Sequence, residues 1–298
     1  MALIQHFDPW KGKFCTCPPK YTLNPYTGCR HSCLYCYITS FIPQAFVVRE
    51  KQNLLQAVQK ELQKIKSSYL SLSNSSDPYP MEEEEKQYTR TILKMCKDHG
   101  IPVLILTKSP LVIRDIDILK EMKAAVSLTI TTIDPKKAKI LEPHAPEPEA
   151  RIQALQELSR AGIPTLLRLD PIIPGINDNP KEWEEILQQL SAFVRQVVVS
   201  TFKPRADSWK RLVEAFPSLS STQSWYTQKE GNSFYLERQK RENILRSLQQ
   251  IVHHHGLFFS SCREGFPEWN DLHCDGSSFL QVQSRNALSV IGGTSFRG

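Results

Sequence analysis

The sequence predicts an α/β protein, a partial, open barrel of parallel strands followed by an irregular C-terminal extension. Three observations carry that expectation. Short continuous apolar runs such as VLIL at 103–106 suit strands buried on both faces of a parallel sheet. Amphipathic helical stretches alternate with them at intervals of about 25 to 35 residues, the pattern of repeated βα units. Five or six such units are visible, short of the eight that close a full barrel.

The elements follow in chain order. Segment 53–66 sets Leu54, Leu55, Val58, Leu62 and Ile65 at helical spacing. A short strand is expected within 69–80, running into a polar loop. The next helix covers roughly 85–98, with Ile92, Leu93 and Cys96 on one face and Gly100 closing it. The strand at 103–106 ends in Thr107, Lys108 and Ser109. A helix over 114–124 turns Leu119 and Met122 inward, and AVSLTITTI (125–133) supplies another strand. Helix 148–161 aligns Ile152, Leu155, Leu158 and Ala161 ahead of Gly162, and strand 165–169 leads to Asp170. Asn179 and Pro180 form an N-cap and N1 pair for a helix over 180–194, before strand 196–202. From about 204 the alternation breaks. A Ser-, Thr- and Gln-rich stretch (216–232), a long polar helix near 234–255 and an irregular tail complete the chain. The expected organisation is an N-terminal arm (1–19), a core barrel (20–205) and an extension (206–298) packed on it.

Composition narrows the class. In 298 residues, 40% hydrophobic and 23% charged side chains fit a folded globular chain and exclude a disordered one. No apolar run approaches the roughly 18 residues of a membrane span. MALIQHFDPWKGKF has no apolar signal-peptide core, so a cytoplasmic location is expected, where thiols bind metal or catalyse more often than they pair. The net charge of +6 permits a nucleic-acid partner and equally describes a solvated basic surface.

The eight cysteines are unevenly spread. Cys15, Cys17, Cys29, Cys33 and Cys36 crowd one stretch, Cys96 stands alone, and Cys262 and Cys274 lie near the C-terminus. Residues 24–37 read NPYTGCRHSCLYCY, so Cys29, Cys33 and Cys36 obey C-x3-C-x2-C. A structural zinc site takes four ligands, usually from two separated pairs. Iron–sulfur clusters take thiolates from compact loops, and a loop with three leaves one iron open to a small molecule. Parallel sheets place function at the C-terminal ends of their strands, where Ser73–Asp77, Thr107–Ser109, Thr129–Thr132, Arg168, Asp170 and Ser200–Lys203 gather here.

With Tyr35 just before the last cysteine, this block resembles the signature of radical S-adenosylmethionine (radical SAM) enzymes. The blocks NPYTGC, CLYCY, SSDPY, LTKS and RLDPIIPGIND further resemble the spore photoproduct lyase-like (DNA repair photolyase-type) subgroup. The resemblance covers roughly 20–205 and implies a partial (β/α)6 radical SAM barrel. It implies a [4Fe–4S] cluster on Cys29, Cys33 and Cys36, with SAM on the fourth iron and Tyr35 beside the cofactor. An electron from a donor such as flavodoxin or ferredoxin then cleaves SAM to methionine and a 5′-deoxyadenosyl radical, which abstracts hydrogen from a substrate, nucleic acid being one candidate. By position, Ser75, Ser76 and Asp77 face the methionyl amino group, Lys108 and Arg168 its carboxylate, and Ser127 or Thr129 the ribose. Plain loop capping is the structural alternative for each.

One departure stands out. Spore photoproduct lyase resembles this chain but carries a hydrogen-donating cysteine beside the second-strand motif, where Asn74 stands here. Cys96, on an apolar helix face, reads as core. Cys15, Cys17, Cys262 and Cys274 are expected to form a second site, an auxiliary Fe–S cluster or a zinc, with His273 able to replace one thiol; unrelated free cysteines are the alternative. His253–His255 read as a helix end and Glu82–Glu85 as a solvated first turn. Trp209, Trp225 and Tyr226 with Lys203, Arg205 and Lys210 fit a nucleic-acid surface or a core with snorkelling cations. The competing function class is a non-catalytic Fe–S or zinc module acting as a nucleic-acid or protein adaptor.

Overall fold

The computed structural model describes residues 2–7, 12–66 and 68–280. Among these, an eight-stranded sheet forms the frame, in the order β1 (Gln5–Phe7), β2 (Lys20–Leu23), β3 (Leu70–Leu72), β4 (Val103–Thr107), β5 (Ala124–Thr129), β6 (Thr165–Ile172), β7 (Gln196–Thr201) and β10 (Phe258–Ser261). β1 is antiparallel to β2, and every later neighbour in the sheet is parallel. Strands β8 (Gln228–Glu230) and β9 (Ser233–Tyr235) form a separate hairpin. The connecting helices are α1 (Leu54–Leu62), α2 (Glu83–Lys86), α3 (Tyr88–Asp98), α4 (Ile116–Leu119), α5 (Pro135–Leu141), α6 (Pro148–Arg160), α7 (Pro180–Leu190), α8 (Ala206–Ala215) and α9 (Arg238–His254).

Strand alternation separates two environments. Val103, Val126, Leu128, Leu167, Leu169, Val197 and Val199 join the main core with the buried faces of the helices. The residues between them face the barrel interior, which is layered. Leu104, Ala125, Leu166 and Val198 make an apolar layer toward the strand starts. Ser127, Thr129, Arg168, Asp170 and Ser200, further along the same strands, line a cavity. The sheet forms a partial barrel: β1 and β10 are its two edges.

The predicted βα alternation is present, with differences at the margins. The strand expected within 69–80 is limited to Leu70–Leu72, because Ser73 takes a positive φ and turns the chain. The strand expected over 125–133 ends at Thr129. The extension holds one more parallel strand, β10, whose four residues are too few to show a period in the sequence. The long helix begins at Arg238, the preceding residues forming the hairpin. Glu82–Glu85 is only partly a solvated turn. Glu83 is fully buried and accepts from Tyr26 Oη (2.5 Å), the Thr89 N–H (2.9 Å) and Arg114 Nη2 (2.7 Å). No helix among the described residues is long and apolar enough to cross a membrane.

Candidate active site

The cysteine loop leaves β2 at Leu23 and is held from three sides. Gly28 has φ +80°, and a Cβ there would sit 2.1 Å from the carbonyl oxygen of Val47, so only glycine fits immediately before Cys29. The Cys29 N–H donates to Ala45 O at 2.8 Å, and the Cys36 N–H to Cys33 O at 3.0 Å. The Leu34 N–H donates to Leu141 O at 2.8 Å, docking the loop on the end of α5. From α8, Arg211 donates Nε to Leu34 O (3.0 Å) and Nη2 to Cys36 O (2.9 Å).

The three thiols open onto a cavity of about 560 Å3 over the polar layer of the barrel. Every sequence-predicted cofactor residue lines it: Tyr35, Ser75, Ser76, Asp77, Lys108, Ser127, Thr129 and Arg168. Their free valences differ. Asp77 already accepts from Thr107 Oγ1 (2.6 Å) and the N–H groups of Tyr79 (2.9 Å) and Lys108 (2.8 Å), tying the β3 loop to the end of β4. Ser76 donates to Tyr26 O at 3.0 Å, and the Ser75 N–H to Asn24 Oδ1 at 3.1 Å. Arg168 pairs with Asp170 at 2.7 Å. Ser127 Oγ is buried with no protein partner.

Tyr35 and Lys108 share an anchor that sequence reasoning did not find. Glu142, just past α5, is completely buried; it accepts from Tyr35 Oη and Thr131 Oγ1 (2.9 Å) and pairs with Arg151 at 2.5 Å and Lys108 at 3.9 Å. Burial alone would raise the Glu142 carboxyl, but Arg151 and Lys108 outweigh it and hold the group below its ordinary range. Burial would likewise lower Lys108, and Cys33 and Glu142 more than offset it, so the amine is held above its ordinary value. Lys108 also lies 5.4 Å from the Tyr35 ring centre. His31, between Cys29 and Cys33, sits 3.6 Å from Asp77, and burial lowers its pKa below the usual imidazole value. Its position inside the motif was the only sequence signal for it.

Burial pushes the Cys29 thiol up to about 12 and the Cys33 thiol well above its ordinary range. Such thiols release their protons to solvent when they bind a metal, which stabilises the thiolate. Among the described residues, no three Cys, His, Asp or Glu side chains close around one point as they do on a single ion. The three loop thiols instead line a cavity wall, an arrangement that suits a cluster binding each thiolate at a different iron.

The other five cysteines fall in two places. Cys15, Cys17, Cys262 and Cys274 share the inner apolar cluster and also line the same cavity. His273 is exposed and lies outside that cavity. Cys96 is wholly buried in the main core. Asn74 faces the cavity and donates to Thr22 Oγ1 at 2.6 Å. His253 and His255 pair with Asp271 and Glu184, both at 2.8 Å. Of the supposed nucleic-acid surface, Trp209 and Tyr226 pack on Phe202 in a third apolar cluster, and Lys203 pairs with buried Glu264. Of that group Lys203 and Arg205 line the cavity, with the Arg205 guanidinium over Tyr37 and Phe41.

The radical SAM superfamily profile matches residues 23–190, more than half of the sequence. The chain belongs to the radical SAM superfamily. This radical SAM enzyme is 36% identical over 166 residues to an uncharacterised protein of Methanocaldococcus jannaschii, covering 53% of this chain and 62% of that one. It is 24% identical over 191 residues to the Radical SAM Nalpha-GlyT isomerase of Pseudomonas phage M6, covering 62% and 40% of the two chains. The match thus spans less than two thirds of these curated relatives. A spore photoproduct lyase variant solved with AdoMet and dinucleoside spore photoproduct superposes with a TM-score of 0.62 at 15% identity, covering 80% of this chain and 75% of that one. SuiB of Streptococcus suis bound to S-adenosylmethionine gives 0.56 at 14% identity, with 85% and 53% coverage. Radical SAM proteins use a [4Fe–4S] cluster and SAM, and the thiol donor set beside the cavity fits that chemistry.

Proposed function

We propose that Cys29, Cys33 and Cys36 hold the [4Fe–4S] cluster and that the enzyme takes hydrogen from a nucleoside-containing substrate at the cavity mouth. The observation that carries this reading is that one cavity is lined by the three thiols, the polar strand ends and an exposed aromatic pair with a cation. When bound, the cluster with SAM supplies one-electron cleavage of the S–C5′ bond, the electron coming from a flavodoxin- or ferredoxin-type donor, and so a radical able to abstract hydrogen.

The protein's own groups position SAM. Lys108, half-buried and cationic, is the candidate partner for the methionyl carboxylate, with Arg168 a second candidate. The unpartnered Ser127 hydroxyl suits a ribose oxygen, and Thr129 lies one inward position along the same strand. Ser75 and Ser76 remain the candidates for the methionyl amino group. Asp77, its oxygens already engaged, acts by fixing the loop that carries them.

The substrate side rests on Tyr37 and Phe41, 46% and 52% exposed, with ring centres 5.9 Å apart and the Arg205 guanidinium over both. Exposed aromatic faces stack bases, worth about 1–3 kcal/mol per base, and guanidinium groups pair with phosphate. The spore photoproduct lyase that shares this fold was solved with a dinucleoside, a ligand of this class. Thymine-dimer repair is not part of the reading, because Asn74 stands where that lyase places its thiol. A cytoplasmic, reducing setting suits free buried thiols.

Anaerobic reconstitution followed by dithionite and SAM is expected to yield 5′-deoxyadenosine in the native chain and none in Cys33→Ala. A colourless protein retaining only zinc would sink the enzyme in favour of an adaptor module. Short single-stranded DNA is expected to bind in a salt-dependent manner and several-fold more weakly to Phe41→Ala. Absence of binding at low salt would turn the substrate toward a peptide or small molecule.

A further inference from the structure

The four cysteines outside the motif loop meet at the seam of the open barrel. Cys15 and Cys17 lie in the segment between edge strand β1 and β2, and Cys262 directly follows the opposite edge strand β10. Cys274 returns from the tail beneath β6, where Gly276, two residues on, packs on Leu166 and Cys274 O lies 3.5 Å from Arg168 Nη1. The sulfurs of Cys17 and Cys274 are 3.8 Å apart across 257 positions of sequence. The Cys15 thiol sits beside that of Cys17, and the Cys262 thiol beside that of Cys274. Cys15, Cys17 and Cys274 are buried, Cys262 is half-buried, and all four are free.

We propose that Cys15, Cys17, Cys262 and Cys274 form a tetrathiolate site for one thiophilic divalent ion, zinc or iron(II), which staples the two edges of the barrel together. Distance favours a single ion. Four sulfurs held about 2.3 Å from a common centre stand about 3.8 Å apart, the separation of Cys17 and Cys274, whereas a disulfide needs about 2.05 Å. A four-iron cubane spreads its thiolates further, one to each corner. The donors come as two separated pairs, the arrangement of structural sites. No three of the four yet close on one point, so the ion draws Cys15 and Cys262 onto the Cys17–Cys274 pair. Each thiol releases its proton to solvent as it binds. Lys20 and Arg168 flank the group, each also paired with a carboxylate, Asp275 or Asp170.

The test uses the full chain with Cys29, Cys33 and Cys36 all changed to Ala, so the motif cluster is absent and its chemistry does not enter the result. Metal analysis is expected to find one zinc or iron per chain, and cobalt(II) exchanged into the site is expected to give the intense visible bands of tetrahedral thiolate coordination. Adding Cys17→Ser and Cys274→Ser is expected to abolish both. Should that variant misfold, release of one zinc per chain as four thiols react with a mercurial in the folded parent reports the same site. A folded parent that takes up neither Zn2+ nor Co2+, or that carries acid-labile sulfide, overturns the assignment.

Discussion

The guanidinium of Arg211 donates to the carbonyl oxygen of Cys36 at 2.9 Å, so a helix 175 positions downstream holds the backbone of the last motif cysteine. The same group reaches Leu34 O at 3.0 Å, one donor for each carbonyl. Hydrogen bonds from a charged donor are worth about 1.5–3 kcal/mol. Arg211→Ala is therefore expected to loosen the loop and to speed loss of the iron chromophore in air several-fold, followed by visible absorbance. Arg211→Lys should fall between, because a point ammonium cannot span both carbonyls as a planar fork does. Equal decay rates in all three proteins would remove the clamp from the account.

Arg211 is itself held by Asp207 at 3.0 Å, and Asp207 also accepts from Thr39 Oγ1. Burial would raise this carboxyl, but Thr39 and Arg211 prevail and hold it below the ordinary carboxylate range. Its folded value lies below its unfolded one. Its contribution is therefore fully present above the unfolded value of about 3.9 and is lost as pH falls through the folded one. Thermal midpoints of the native chain and Asp207→Asn are expected to differ at neutral pH and to converge as pH drops below about 4. A gap of constant size down to acid pH would mean the carboxylate charge does nothing for stability.

Gly28 makes a second, independent claim on the loop. A methyl group there meets backbone, the Val47 carbonyl oxygen at 2.1 Å, at a φ of +80°. Backbone strain of that kind costs about 1–3 kcal/mol before any clash is relieved. Gly28→Ala is expected to lower iron incorporation on reconstitution to less than half while far-UV circular dichroism stays unchanged. Full incorporation would show that Cys29 tolerates a displaced neighbour.

The contrast between these residues shows what a sequence discloses. Apolar runs such as Val103–Leu106 and Val197–Val199 announce parallel strands because both faces are buried, a condition local to each run. The cysteine loop is likewise a local spacing, and its placement after β2 follows from the βα order. Arg211 and Glu142 carry no such mark. Each is an ordinary polar residue on or beside a helix, and its partner in the cysteine loop, Leu34 for Arg211 and Tyr35 for Glu142, lies more than 100 positions away. The strand-end polar residues were legible as a group, but not how their hydrogen bonds divide. Asp77 looks like a ligand in sequence and is spent on Thr107 and Lys108 in the fold. β10 escaped because four residues set no period, although it carries Cys262 to the barrel seam.

Glu142 and Arg151 make the sharpest stability prediction. Both are essentially inaccessible, and they pair at 2.5 Å behind Tyr35 and Lys108. Arg151 also donates to Thr129 O at 3.1 Å, linking the pair to the end of β5. Removing one partner leaves an uncompensated buried charge, which costs about 3–5 kcal/mol, whereas replacing both with apolar groups of similar volume is often neutral. Glu142→Gln, which leaves Arg151 and Lys108 without their shared carboxylate, is expected to lower denaturant stability by that amount, and Arg151→Met by less, because Lys108 still faces Glu142. Lys108 breaks the symmetry: it loses its 3.9 Å counter-ion when Glu142 goes and keeps it when Arg151 goes. Glu142→Gln should therefore weaken SAM binding more than Arg151→Met does, read by equilibrium dialysis with the reconstituted enzyme. If the two single variants lose SAM affinity equally, Lys108 does not take its charge setting from Glu142.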